Sequence, residues 1–107
     1  MLKVNYSQAQ SDRGINTYKM KITGHADFAK GTDIVCSACS VLCYTLGQAL
    51  SDIQPSIKLT YNSGDFQTEI TPKNQKEQEK IHTIFNTIIT GYLLLAKEYP
   101  ENVQVFQ

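Results

Sequence analysis

The apolar residues of this chain recur at every second position in several short stretches and at every third or fourth position in two long ones, and the two patterns alternate along the sequence. Leu2, Val4 and Tyr6 alternate with polar neighbours, as do Tyr18, Met20 and Ile22, the two-residue period of half-buried strands. Ser11-Asp12-Arg13-Gly14 between them is turn chemistry, so the first pair reads as a hairpin. Ile57, Leu59 and Tyr61, then Phe66, Thr68 and Ile70, flank Asn62-Ser63-Gly64-Asp65 and predict a second hairpin. Val103 and Val105 at the tail predict one more strand.

The helical stretches separate these strands. Asp33 offers an N-cap to a run from Ile34 to about Ile53 that stops before Pro55. Val35, Ala38, Leu42 and Ala49 form one stripe on it; Cys36, Cys39, Cys43, Leu46 and Leu50 form another. Two stripes predict a helix buried on several sides. From about Lys73 to Lys97, apolar positions from Ile81 to Ala96 return at three- and four-residue steps, and Tyr99-Pro100 ends the pattern. The order ββαββαβ, with strands mostly arriving as hairpins, predicts an α+β layered sandwich with a mostly antiparallel sheet and two main helices.

A chain of 107 residues is expected to form one domain, 1–107, because it can bury a single core but not two. Ten basic residues balance ten acidic ones, so the strongly basic footprint of a general nucleic-acid binder is missing and no direct nucleic-acid partner is expected. No long apolar run follows the start Met1-Leu2-Lys3, and the hydrophobic segment Tyr92 to Ala96 is too short for a bilayer, so no membrane association is expected. The three cysteines lie within one short segment, Cys36 to Cys43. They suit a reducing compartment better than a secreted disulfide framework, and a cytoplasmic location is expected.

The chemistry-bearing residues flank one loop. With Asp33 as N-cap, Cys36 falls in the first turn of its helix, where free N–H groups and the macrodipole favour a thiolate. A helix N-terminus with a cationic neighbour can bring a cysteine pKa from about 8.5 to roughly 3.5–7.5. His25, with ten residues between it and Cys36 and followed by a loop containing Gly31, is the natural base. The backbone N–H groups of Cys36 and Ser37 are candidate donors to the oxyanion of an acyl-transfer intermediate. The Asp33 carboxylate would oppose ionisation of the thiol, so it suits a cap, a loop anchor or an orienter of His25 better than an activator.

Other readings share these residues. Cys39 and Cys43 suit small buried hydrophobes, and His82 a solvated surface position. Cys36-Ser37-Ala38-Cys39 is a CxxC at a helix start, the setting of a thiol-redox pair, with Pro72 as its accompanying proline. Thioredoxin-like chains, however, place that motif after a βαβ beginning. The three cysteines with His25 have helical ligand spacing, but a second ligand pair is missing, so neither a metal nor a cofactor is implied.

Gly24-His25-Ala26, then Gly31, then Asp33-Ile34-Val35-Cys36, Ala38 and Ser40 resemble the signature of the bacterial ribosomal-processing cysteine protease family. Length and the order of hairpins and helices suit that family across nearly the whole chain. The resemblance implies an endopeptidase that trims the N-terminal extension of the twenty-seventh large-subunit ribosomal protein. It implies His25 as general base, Cys36 as nucleophile, Asp33 and Ser40 in supporting roles, and a homodimer. It also implies that the loop from Ala26 to Thr32, bounded by Gly24 and containing Gly31, is a mobile cover over the substrate. Cys39 and Cys43 depart from the small residues that would serve the same packing. A non-enzymatic peptide-binding module of ribosome assembly is the alternative, and it would tolerate Cys36→Ser.

Overall fold

In a computed structural model, which describes residues 1–11 and 13–107, the alternating stretches become strands β1 (Leu2–Gln10), β2 (Asn16–Thr23), β3 (Leu59–Asn62), β4 (Asp65–Ile70) and β5 (Val103–Phe106). The periodic ones become helices α1 (Ile34–Ile53) and α2 (Gln75–Glu98). Asp12, in the expected first turn, lies outside the described residues, while the Gly14 N–H donates to the Ser11 carbonyl beside it at 3.1 Å.

The strands form one sheet in the order β3-β4-β2-β1-β5. Both hairpins join through an antiparallel β2–β4 ladder, in register at Met20 with Thr68. The last strand lies parallel to β1, with Val4 beside Val105. The fold is therefore α+β with a mostly antiparallel sheet.

Register decides which side is covered. Leu2, Val4, Tyr6, Tyr18, Met20, Ile22, Phe66 and Ile70 all point to one buried face, and Lys3, Lys19, Lys21 and Glu69 to the open one. Both helices pack on the buried face. Phe85 of α2 lies between the rings of Tyr6 and Tyr18, with centroids at 5.3 and 5.5 Å. Burying an aromatic of this size contributes about 1.5–3 kcal/mol relative to exposure.

Three expectations change. Only one face of α1 is buried, carrying Val35, Cys39, Cys43, Leu46 and Leu50, while Ile34, Val41 and Tyr44 are exposed. A two-layer fold has a single sheet to cover, so beyond Val35 the stripe of Ala38, Leu42 and Ala49 is only half-buried, with Leu42 against Gly91 of α2. By length and composition α1 is apolar enough to cross a membrane, against the expectation from Tyr92–Ala96, yet its inward stripe packs into the core. Finally, Ile57 falls outside β3, its N–H closing a turn onto the Gln54 carbonyl at 3.0 Å.

Candidate active site

The start of α1 is organised by one carboxylate. Oδ1 of Asp33 accepts the N–H groups of Val35 (2.9 Å) and Cys36 (3.0 Å), the N-cap arrangement. Its Oδ2 accepts those of Phe28 (2.9 Å) and Ala29 (3.2 Å) from the preceding loop. The N–H groups of Cys36, Ala29, Phe28 and Val35 together hold the Asp33 carboxyl below the usual carboxylate range. All of these partners are backbone groups. Asp33 is thus a cap and loop anchor, and it does not orient the His25 ring.

The expected oxyanion donors need correction. The Cys36 N–H is taken by Asp33 Oδ1, and the Ser37 N–H by the Asp33 carbonyl at 3.0 Å. A helix end that is capped this fully has no spare donor at those two positions. The donor that does face the sulfur is the Ala26 N–H, 3.4 Å from Cys36 Sγ. Ala26 is 1% exposed, so it forms the buried base of the loop, and the exposed part of the expected cover runs over 27–32.

His25, immediately before Ala26, is exposed and shares with half-buried Cys36 a cleft of about 310 Å³. Among the described residues its ring makes no hydrogen bond to the sulfur. The ring lies instead against the β3–β4 turn: a Cβ added to Gly64, which has φ +72°, would sit 2.8 Å from His25 Nε2. The Gly24 N–H donates to the Gly64 carbonyl at 2.9 Å, tying the end of β2 to the same turn. In the sequence Gly64 signals only a hairpin; its contact with the histidine depends on β2 and β4 becoming neighbours.

Ser40, one helical turn beyond Cys36, lines the cleft. The far wall is aromatic: Tyr61 stands between Tyr44 and Phe66, with centroids at 5.5 and 5.1 Å. Tyr61 can lie against α1 because position 47 is glycine; any Cβ there would collide with the Tyr61 hydroxyl. Phe28, on the loop after His25, is not part of this wall, since its ring packs edge-on against Tyr99 at 5.1 Å.

The other two cysteines face inward. Tyr92 Oη donates to the Cys39 carbonyl at 3.0 Å and lies 3.0 Å from Cys43 Sγ. Cys39 Sγ approaches the same hydroxyl at 3.8 Å. Burial first, then the two neighbouring thiols, push the Tyr92 hydroxyl up. Cys43 as hydrogen-bonding partner, together with burial, pushes the Cys39 thiol up. Cys36 faces Ala26 while Cys39 and Cys43 face Tyr92, so the three sulfurs do not converge as metal ligands would. A raised, buried Cys39 is also a poor resolving thiol for CxxC redox chemistry. His82, expected to be solvated, is exposed, yet its Nδ1 lies within hydrogen-bond distance of Tyr18 Oη, 3.0 Å away.

A thiol in the first turn of a capped helix that shares an open cleft with a histidine, on a two-layer α+β domain, is the arrangement of a cysteine hydrolase. The family described as Cysteine protease Prp matches residues 1–104, and the chain belongs to it. A search of the curated proteins finds no match. Among solved structures, the chain is similar to the essential ribosomal processing protease Prp from S. aureus in complex with a covalently linked product peptide. That likeness has 25% identity, a TM-score of 0.69, and covers 98% of this chain and 97% of the other. It is also similar to SMU.848 from Streptococcus mutans, with 27% identity, a TM-score of 0.70, and 98% and 91% coverage. The S. aureus protease in complex with a substrate peptide, at 22% identity, TM-score 0.68, and 99% and 98% coverage, shares the fold.

Proposed function

We propose that this protein is a cytoplasmic cysteine endopeptidase of ribosome maturation that removes the N-terminal extension of the twenty-seventh large-subunit ribosomal protein. The observation that carries the reading is the Ala26 N–H aimed at Cys36 Sγ, which holds His25, one residue earlier, in the same open cleft as the sulfur. Family membership supports the protease chemistry. The S. aureus relative with its peptide supports a ribosomal substrate.

In the reaction, His25 takes the Cys36 thiol proton, the thiolate adds to the scissile carbonyl carbon and the carbonyl electron pair moves to oxygen. Collapse of the intermediate breaks the C–N bond, and His25 gives its proton to the departing amine. Water, losing a proton to His25, then hydrolyses the thioester and restores the thiol. Asp33 keeps the helix start and loop in place, Ser40 borders the nucleophile, and the span 27–32 orders over the bound peptide. The aromatic wall of Tyr44 and Tyr61 suits an extended peptide with apolar side chains next to the cut.

The active form is a homodimer. Ile34, Val41 and Leu94 are each more than half exposed, and an apolar surface spread over α1 and α2 is what a partner copy would cover. Analytical ultracentrifugation giving only the 12.0 kDa monomer at micromolar concentration would remove that part of the reading.

Cleavage of a synthetic N-terminal extension peptide, followed by mass spectrometry, tests the main reading. Wild type is expected to cut at one bond, and His25→Ala to be slower by about 10²–10⁴-fold. Binding of the peptide with no cut by wild type would instead favour the peptide-binding module.

A further inference from the structure

We infer that Asn102, at the entrance to β5, is a positioning residue for the nucleophile. The geometry is a relay of two hydrogen bonds through one buried residue, Ala26. Asn102 Nδ2 donates to the Ala26 carbonyl at 2.9 Å, and the Ala26 N–H donates to Cys36 Sγ at 3.4 Å. The inference rests on Cys36 being the reactive thiol.

Ala26 is almost fully buried and belongs to no strand or helix, so neither of its backbone groups has a ladder partner. A buried carbonyl without a partner costs about 1–3 kcal/mol, and Asn102 supplies that partner. Only the amide nitrogen of Asn102 can donate, which settles the orientation of its side chain. With the carbonyl end of Ala26 held, the N–H end is directed at the sulfur. A donor aimed at sulfur favours the anion over the neutral thiol, because hydrogen bonds to charged acceptors are roughly twice as strong as neutral ones.

Asn102 is itself held on both sides. Its N–H donates to the Tyr99 carbonyl at 3.0 Å, and its carbonyl accepts the Leu2 N–H at 2.8 Å. These backbone bonds do not depend on the side chain. Substitution therefore leaves the β1–β5 junction in place and removes only the tie to Ala26. The β5 strand, which otherwise looks like a closing edge of the sheet, is thereby linked to the chemistry of a cysteine 66 positions earlier.

The test is alkylation of Cys36 by iodoacetamide as a function of pH, with Cys39 and Cys43 buried and mass spectrometry identifying the modified residue. Asn102→Ala is expected to slow alkylation at neutral pH by about ten-fold and to move its pH profile upward. Asn102→Asp, which keeps the shape but sets an acceptor against the Ala26 carbonyl, is expected to do at least as much. For peptide cleavage the loss should fall on kcat, with KM little changed. Unchanged alkylation rates and profile in both variants would overturn the role. Should either variant fail to fold, the wild-type Ala26 amide proton keeps the question decidable: its NMR resonance is expected to move when Cys36 is alkylated, and a stationary resonance would overturn the inference. Alkylation needs no substrate, so a wild type that alkylates readily yet cuts no peptide would refute the protease reading and leave the Asn102 relay standing.

Discussion

The two helices of this protein begin with the same device and use it differently. Each has a short polar N-cap: Asp33 for α1 and Asn74 for α2. Each cap accepts the N–H of the third helical residue, at 3.0 Å from Cys36 and at 2.8 Å from Glu77. In α2 that third residue is the glutamate of a capping-box pattern, and Glu77 Oε1 reaches back to the Lys73 N–H at 3.3 Å and across to Gln54 Nε2 at 2.6 Å. In α1 the third residue is a cysteine. Its side chain turns to the cleft, and the second oxygen of Asp33 gathers the preceding loop instead. One helix start closes on itself for stability, while the other anchors a loop and presents a thiol.

Exchanging the third residue gives the largest expected difference. Cys36→Ser should reduce peptide cleavage by at least about 1000-fold with little change in melting temperature. Glu77→Ser should leave cleavage near wild type and lower the melting temperature. Steady-state kinetics beside thermal denaturation separates the two, and a Cys36→Ser enzyme that still cuts would end the contrast.

Asp33→Asn probes the divided use of the first cap at a smaller scale. The amide oxygen can still cap α1, but the amide nitrogen then faces the donors of Phe28 and Ala29, so cleavage should fall about ten-fold through loss of loop order. Because the folded-state pKa of Asp33 is lowered, its ionisation stabilises the fold above the unfolded value of about 3.9. That contribution is lost as pH falls through the folded value. The gap in melting temperature between wild type and Asp33→Asn should therefore narrow below about pH 4, and a gap that widens there would contradict the assignment of the carboxylate contacts.

The smallest expected effect is at the second cap. Asn74→Ala should cost about 1 kcal/mol, a shift of roughly 4–8 °C for a domain of this size, with turnover unchanged. A matching loss of activity would mean that the two helix starts are coupled and not independent.

Much of this is legible in the sequence. The bounds of α1 follow from Asp33 at one end and Pro55 beyond the other, and the hairpins follow from alternation around Gly14 and Gly64. Cys36 and His25 flank a short loop, so their closeness is nearly a local property. The donors around the sulfur were not legible in the same way. Counting from the N-cap leaves the Cys36 N–H free of an intrahelical partner, but a side-chain oxygen of Asp33 occupies it, and the Ser37 N–H makes the first regular helical bond, to the Asp33 carbonyl. The α1 stripes misled for a related reason: periodicity records which faces are apolar, and the number of packed layers determines how many of them are covered.

Hydrophobic period, cap residues and turn glycines act over a few positions, so the sequence by itself determined the elements, their order, the α+β class and the loop that carries His25 and Cys36. Sheet order brings together residues far apart in the chain. Only the tertiary structure decided that Gly64 backs the histidine ring, that Tyr92 takes up Cys39 and Cys43, and that Asn102 holds Ala26. Each of those contacts satisfies a buried or crowded group with a partner 39 to 76 positions away, and nothing in the local pattern of either partner records the other.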